Sequence, residues 1–244
     1  MSGHSHWKSI KRTKEAEDKK RGKIFSKLSR EISVAVKEKG SDPEMNPKLR
    51  LAIEEARAFN MPKGNIERAI KRGTGELAGE KLETVLFEAY GPGGIAVIIE
   101  GITDNKNRTL GEIKQILNQN NGKLASSGSV KWLFERRGCI TLRITNQYED
   151  TKKEDLEMLA IEAGAEDIYW HENILDVYAK PELLEEVKKN LEAKNIKIDS
   201  ASLDWVAKEE VSADEKTKEA CQKLFEDLDE NEAVQEIYSN LKLL

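Results

Sequence analysis

The sequence predicts an α+β protein in three parts. These are an N-terminal helical bundle (1–75), a split α+β domain (80–137 and 208–244) and a ferredoxin-like βαββαβ domain (138–207) inserted into the split one. Two observations predict this fold. The spacing of apolar residues is helical within the first part and becomes a mixture of strand-like and helical runs afterwards. One complete succession of strand, helix, strand, strand, helix and strand lies within the inserted part, which is the chain order of a split βαβ unit.

Three helices are predicted in the bundle, because each apolar stripe is bounded by residues that start or stop helices. The first helix ends at Gly40 and the third at Gly73. Asn46 caps the second helix, and Pro47 takes its first helical position. No helix can bury its apolar face alone, so we expect the three to pack together. The stripes are Phe25, Leu28, Ile32 and Ala35; Leu49, Ala52, Ile53, Ala56 and Phe59; and Ile66, Ala69 and Ile70.

β-Rich runs begin after a linker at Gly73-Thr74-Gly75. The runs at 84–90 and 95–102 flank Gly91-Pro92-Gly93-Gly94, which favours a hairpin turn. These glycines do not indicate a phosphate loop, because a β-branched strand follows them instead of a helix N-terminus. A helix with its apolar stripe at 110–117 comes next. Later elements are predicted at 130–134 (strand), 139–144 (strand), 152–163 (helix), 167–170 (strand), 174–178 (strand), 181–193 (helix), 196–206 (strand), 213–228 (helix) and 233–239 (strand or helix).

Charge is divided unevenly along the chain. The 244 residues include 40 Lys+Arg and 45 Asp+Glu, for a net charge of −5. Residues 1–75 hold 19 of the basic and 10 of the acidic residues, so this part carries +9 and the remainder carries −14. A basic head on an acidic body predicts a polyanion-binding end joined to a body that repels polyanions.

Composition excludes several classes of protein. No stretch approaches the roughly 18 uncharged apolar residues of a membrane span, and the N-terminus lacks the apolar region of a secretory signal. Cys139 and Cys221 lie too far apart in sequence for a disulfide framework, so we expect a reducing, cytoplasmic setting. Three histidines and two cysteines without ligand spacing predict no metal site, and we expect no cofactor.

Several polar features have explanations other than catalysis. The acidic pairs Glu54-Glu55, Glu185-Glu186 and Glu209-Glu210 fit solvated faces, because no matched apolar cleft accompanies them. His171 is expected at the surface, in a hairpin turn. Ser126-Ser127-Gly128-Ser129 lacks the strand-to-helix elbow and the histidine partner of a nucleophile. We therefore interpret it as a loop that contacts an anion or another ligand.

The candidate binding residues lie mainly near the N-terminus. The first thirty residues hold ten basic residues against three acidic ones, and each phosphate that such residues neutralise releases condensed counterions. Trp7 can stack on an unpaired base. A loop before the third helix and a helix start near residue 105 extend this surface, the latter because helix N-termini favour anions, although capping alone explains Asn107. The predicted nucleic-acid-binding residues are His4, His6, Trp7, Lys8, Lys11, Arg12, Lys14, Lys19, Lys20, Arg21, Lys23, Lys27, Arg30, Lys63, Asn65, Arg68, Lys71, Arg72, Asn105 and Arg108.

Five ordered motifs carry a family resemblance. They are Ser2-Gly3-His4-Ser5-His6-Trp7-Lys8-Ser9-Ile10-Lys11 with Lys20-Arg21-Gly22-Lys23-Ile24-Phe25-Ser26-Lys27-Leu28; Asn60-Met61-Pro62-Lys63-Gly64-Asn65-Ile66-Glu67-Arg68-Ala69-Ile70; Tyr90-Gly91-Pro92-Gly93-Gly94; Thr103-Asp104-Asn105-Lys106-Asn107-Arg108-Thr109; and Ser127-Gly128-Ser129-Val130. On these motifs the sequence resembles the YebC/PmpR family over essentially its whole length. One departure is Gly64, where an acidic residue is commoner in the family.

The resemblance implies a helical head, two α+β parts and a cytoplasmic, non-enzymatic, nucleic-acid-binding protein. Family members are described as transcriptional regulators that bind promoter DNA. Others act in translation, among them the mitochondrial translational activator of cytochrome oxidase subunit I, and bacterial relatives are said to assist ribosomes stalled on proline-rich stretches. The resemblance thus names two targets, DNA and ribosomal RNA, and the ribosome itself as a further partner.

The residues themselves favour RNA slightly, because the head lacks a clear helix-turn-helix with polar readers and its lysine-rich arm suits phosphate contacts. Family descriptions more often favour DNA, so both targets stay open. A nuclease would need clustered carboxylates to bind divalent metals. The basic N-terminal segment contains only isolated carboxylates, Glu17 and Asp18 among them. A partner-recruiting role for the acidic part could coexist with binding. No membrane and no small-molecule substrate are expected as partners.

Overall fold

The α+β fold class is confirmed by the structure, a computed structural model that describes residues 18–79, 81–143, 153–171 and 173–242, with side chains from residue 21 onward. Seven α-helices and two four-stranded antiparallel sheets occupy these residues. In chain order they are α1 (Asp18–Lys39), α2 (Pro47–Ala58), α3 (Lys63–Thr74), β1 (Glu83–Tyr90), β2 (Ala96–Thr103), α4 (Lys106–Gln119), β3 (Lys123–Leu124), β4 (Phe134–Arg143), α5 (Lys153–Ala163), β5 (Asp167–His171), β6 (Ile174–Ala179), α6 (Leu184–Ala193), β7 (Ser200–Ala207), α7 (Glu215–Asp229) and β8 (Val234–Ser239).

The head consists of α1, α2 and α3 around one apolar core. The predicted cap is confirmed: the Asn46 side chain accepts a hydrogen bond from the backbone N–H of Leu49, and Pro47 follows it. Gly40, with φ of 89°, ends α1. Helices α1 and α3 approach closely at Gly73, where an added Cβ would lie 2.6 Å from the Ser33 carbonyl oxygen. The Ser33 hydroxyl bridges the two helices by donating to the Ala69 carbonyl oxygen at 2.8 Å.

The first sheet has the strand order β3-β1-β2-β8. The hairpin between β1 and β2 turns at Pro92–Gly94, as the glycines predict. One face of the sheet buries Val85, Phe87 and Ile99 against α4 and α7. The other face packs against the start of β4 and the end of β7 through residues that include Ile98 and Phe134. The chain therefore leaves this sheet after β3 and returns to it only with β8.

The second sheet has the order β5-β6-β4-β7, with α5 and α6 between its strands in a βαββαβ chain order. Its core includes Ile140, Leu142, Leu175 and Val177. The predicted strand at 130–134 is wrong, because Lys131–Leu133 forms a 3-10 turn. The strand β4 begins only at Phe134 and runs to Arg143.

Two other predictions for this part are corrected. The closing strand begins at Ser200 and not at 196, because Asn195, with φ of 60°, turns the chain after α6 and Ile196 is buried in the core before the strand starts. His171 is buried, with 6% of its surface exposed, instead of lying at the surface. It ends β5 beside β6, where its Nε2 lies 3.1 Å from Oδ2 of the fully buried Asp176.

Candidate nucleic-acid interface

The basic residues of α1 that face the body contact an acidic turn, defined here as residues 229–232, which begins at the last residue of α7. Lys27 Nζ donates to Oδ1 of Asp229 at 2.8 Å and to the Asp229 carbonyl oxygen at 3.0 Å. Lys23 Nζ lies 3.1 Å from a carboxylate oxygen of Glu230. Because α7 ends at Asp229, these cations also lie at the negative end of its dipole.

Arg30 extends the same contact by one more turn of α1. It donates to the Glu232 carbonyl oxygen at 2.6 Å and to its carboxylate at 3.2 Å. Three of the predicted binding residues, at positions i, i+4 and i+7 of one helix, thus bind the body of the same chain. Lys27, 7% exposed, is a structural residue in this arrangement, whereas Lys23 and Arg30 stay partly accessible.

A groove of about 730 Å³ lies on another side of the head, between α1, α3 and the segment that leads to β1. Five cationic residues line it, and none of the described residues that line it is acidic. The cations come from α1 (Arg30 and Lys37), from α3 (Arg68 and Arg72) and from the following segment (Lys81). Phe25 and the small residues Ser26, Ser29 and Gly73 complete much of its floor and walls.

The shape of the groove depends on the close contact of α1 and α3. Gly73 and Ser33 both line it and both belong to that contact. The Lys37 ammonium donates to the Leu82 carbonyl oxygen at 3.1 Å. This bond holds the segment that leads to β1, which forms one wall of the groove, against α1. Arg68 donates to the Asn65 side-chain oxygen within α3, so these two side chains contact each other beside the groove. These contacts fix the walls of the cationic groove relative to each other.

Apart from Lys23 and Lys27, which contact the acidic turn, and Asn105 and Arg108 at the start of α4, the predicted binding residues fall into four groups. Asn65, Arg68, Arg72 and Arg30 are brought together in the groove. Lys63 and Lys71 are exposed on α3 away from the groove lining, and Arg21 is exposed at the start of α1. Lys19 and Lys20 lie in α1, but only their backbone is described. The predictions at His4, His6, Trp7, Lys8, Lys11, Arg12 and Lys14 lie outside the described residues.

The helix start near residue 105 lies beside the head. Asn105, and not Asn107, is the cap of α4, and its side chain accepts from the Arg108 N–H at 3.1 Å. Arg108 donates to Asp104 at 2.5 Å. Partial desolvation raises the pKa of Asp104, but a backbone N–H, the Arg108 hydrogen bond and the charges of Arg108 and Arg30 lower it by more, so this pKa lies below its ordinary value. Arg108 is therefore engaged with Asp104 near the head–body contact.

Two groove residues, Lys37 and Lys81, were missed by sequence reasoning. A signal existed for the first: Ser26, Ser29, Ser33 and Lys37 recur at helical spacing on α1 and mark a polar face distinct from the apolar stripe. No local pattern marks Lys81, because only the fold brings the linker alongside α1.

The prediction of solvated faces is wrong for Glu54 on α2 and for Glu185 on α6, whereas Glu186 is exposed as predicted. Arg50 donates two hydrogen bonds to Glu185, at 3.2 and 2.8 Å, and Lys188 pairs with Glu54. Leu51 packs against the core of the second sheet beside them. The head is thus joined to both sheets of the body, and Glu54 and Glu185 belong to a contact between parts of the chain.

Neither a metal cluster nor a membrane-spanning helix is present among the described residues. In the described part of the chain, no group of three or more histidine, cysteine or acidic side chains is arranged to hold a metal ion. None of the described helices combines the length and the apolar character needed to cross a bilayer.

Comparison with known proteins assigns the family. The family model described as "TACO1/YebC protein N-terminal domain" matches residues 5–76, and that of the "TACO1/YebC second and third domain" matches residues 82–241. The chain therefore belongs to the TACO1/YebC family, which confirms the resemblance in its motifs.

The relatives match over almost their whole length. A "Probable transcriptional regulatory protein" of Halothermothrix orenii is 49% identical over 100% of this chain and 96% of its own. A protein of Caldanaerobacter subterraneus with the same description is 47% identical over 100% and 99% of the two chains. The crystal structure of a conserved hypothetical protein from Aquifex aeolicus superposes with a TM-score of 0.85 at 45% identity, covering 92% of this chain and 91% of that one.

Proposed function

We propose that this protein is a non-enzymatic, cytoplasmic regulator of gene expression that binds DNA through its helical head. The observation that carries the proposal is the groove, in which five cations converge without an acidic residue among its described lining, although one of them, Arg30, also pairs with Glu232 of the acidic turn. Relatives named as transcriptional regulators support the regulatory role. The basic residues before α1 would add phosphate contacts along the same polymer.

Binding in the groove would be driven by phosphate contacts. Arginine forms charge-assisted hydrogen bonds to phosphate oxygens through a planar fork, and Arg68 and Arg72, one helical turn apart on α3, can contact successive phosphates. The serine hydroxyls of α1 can donate to the same oxygens. The −14 net charge of the chain beyond residue 75 repels polyanions, so it should orient the polymer toward the head.

A second candidate target is ribosomal RNA, which would make the protein a translation factor that relieves stalling on proline-rich sequences. One observation favours RNA. The charged face of α3 forms a wall of a groove and does not project as a recognition helix would. A walled cationic groove suits a single strand, whose backbone it can follow.

The test is a charge-reversal pair with a matched control. R68E/R72E reverses two groove cations, whereas K39E/R57E reverses two exposed cations of the same head outside the groove lining. The groove variant should bind duplex DNA and single-stranded RNA about tenfold to a hundredfold more weakly than the wild type at low salt, and the control should bind nearly as well. Equal losses in both variants, with folding intact, would contradict the groove as the site.

The two targets are separated by the same assay. Stronger binding to promoter-containing duplex fragments than to ribosomal RNA fragments would favour the transcriptional role. The reverse order would favour the ribosomal one.

A further inference from the structure

An exposed tryptophan, Trp132, lies on a loop between the two sheets. It is not part of the groove, so the proposed role of the groove does not explain its exposure. Trp132 is 65% exposed, whereas Trp170 and Trp205 are partly buried and donate their indole N–H groups to Glu157 and Glu100. Burying an indole ring is normally favourable, so a chain that leaves one outside forgoes that stabilisation.

The loop that carries Trp132 is held in one shape. The buried carboxylate of Glu88 accepts hydrogen bonds from the backbone N–H groups of Gly128, Val130 and Lys131, at 2.6, 2.6 and 2.7 Å. Burial raises the pKa of Glu88, but these three bonds lower it by more, so its pKa lies below its ordinary value and the carboxylate is charged at neutral pH. Gly128, with φ of 84°, supplies the turn that aims the N–H groups inward.

The ring itself is also oriented. Trp132 Nε1 donates to the Ser129 carbonyl oxygen at 3.0 Å, and the Tyr90 hydroxyl donates to the same oxygen at 3.2 Å. Lys208 Nζ donates to the Trp132 carbonyl oxygen at 2.8 Å. The polar edge of the indole is satisfied inside the loop, while its apolar surface faces outward. A rigid, exposed ring loses little conformational entropy when a ligand covers it.

The surroundings of Trp132 indicate what would cover it. The exposed side chains of this loop are Ser126, Ser127 and Lys131, whose ammonium lies 4.9 Å from the centre of the Trp205 ring. Lys208 adds a second cation through its bond to the Trp132 carbonyl oxygen, and the exposed Glu209 follows it in the chain. Protein docking surfaces need roughly 800 Å² per partner around an apolar centre, and a single ring among serines and lysines does not provide one. A flat aromatic ligand that carries negative charge fits both the ring and the lysines.

We propose that Trp132 is a stacking platform for an unpaired nucleobase, with the ammonium groups of Lys131 and Lys208 near the flanking phosphates. This inference rests on the proposed function, because it assigns a second contact to the same nucleic acid. β1 runs from Glu83, next to Leu82 of the groove wall, to Tyr90, which is hydrogen-bonded to the Trp132 loop. The eight residues of this strand span about 24 Å, which is about seven nucleotides of a stacked strand at about 3.4 Å each and fewer of an extended single strand.

The test uses fluorescence quenching, since a base stacked on an indole quenches its emission. The probes are a single-stranded oligouridylate of about 20 nucleotides, longer than the roughly seven that span β1, and a duplex of the same length whose bases are already paired. The full chain has four tryptophans, so the signal of Trp132 is obtained as the difference between wild type and W132F. M158A, which removes another exposed apolar side chain (59% exposed), is the matched control.

The single strand should quench the Trp132 signal, and the duplex should quench it much less. W132A should bind the single strand about fivefold to a hundredfold more weakly, which is the range for the loss of one base stacked on an aromatic ring. W132F should retain most of the affinity, and M158A should bind like the wild type. Equal single-strand affinity for W132A and wild type would overturn this inference and leave the groove proposal standing. No binding of either probe by any variant, wild type included, would overturn both.

Discussion

Replacing Gly73 by alanine tests the contact that shapes the groove. An alanine Cβ at this position would lie 2.6 Å from the Ser33 carbonyl oxygen and 2.6 Å from Val36 Cβ. Neither atom is the end of a flexible side chain, so α1 and α3 must separate to reach ordinary contact distances. Overpacking of this kind costs about 1–3 kcal/mol, and the gain in helix propensity, about 1 kcal/mol at most, offsets only part of that cost.

The matched control is Gly64→Ala on the same helix, where an added Cβ meets nothing within 4 Å. G64A should raise the free energy of unfolding by about 0.5–1 kcal/mol, whereas G73A should lower it. Thermal and urea unfolding of the full chain measure the stability, and hydrogen exchange of the α1 and α3 amides locates the change. G73A should also weaken nucleic-acid binding, because the groove widens. A G73A protein as stable as the wild type, with unchanged exchange in α1, would refute the reasoning.

Three further predictions concern buried polar groups. Asp229→Ala removes the carboxylate that pairs with the buried Lys27 ammonium, which should lower the free energy of unfolding in urea by roughly 3 kcal/mol. The double variant K27M/D229L should recover most of that loss, and an equal loss in the double variant would contradict this. Burial raises the pKa of Cys221 to about 11. Its thiol should therefore resist alkylation by iodoacetamide at pH 8 until urea unfolds the chain, and rapid labelling of the native protein would contradict this prediction. The lowered pKa of Glu88 stabilises the fold fully above its ordinary value of 4.5, and that stabilisation is lost as pH falls through the lower, folded-state pKa. The stability gap between wild type and E88Q should therefore shrink in acid, and a gap independent of pH would exclude this role.

The elements of the head could be predicted from sequence because their signals are local. The cap Asn46, the terminator Gly40 and the apolar stripes each act within one or two helical turns. The boundaries of the strands were harder to predict from the sequence. Ile196 and Ile198 form an alternating, strand-like pattern that continues into β7 in sequence, and only the turn at Asn195 after α6 and their place in the shared core separate them from the strand.

The candidate site was predicted in part. Arg68 and Arg72 stand out as a basic helix face, and the structure places both in the groove. The partners of Lys27 and Arg30 lie 202 residues away in the chain, and no local pattern indicates that an acidic turn will meet them. His171 shows the same limitation, because its burial follows from the pairing of β5 with β6 and from Asp176 on the neighbouring strand.

The salt dependence of binding tests the central claim most directly, since it counts the phosphates that the groove neutralises. For duplex DNA, log Kobs should fall linearly with log salt, with a slope of about −0.9 for each phosphate contacted. Neutralising two groove cations in R68Q/R72Q should make that slope shallower by about 2, while K39Q/R57Q should leave it unchanged. Identical slopes for the wild type and R68Q/R72Q would contradict the assignment of the groove as the phosphate-binding site.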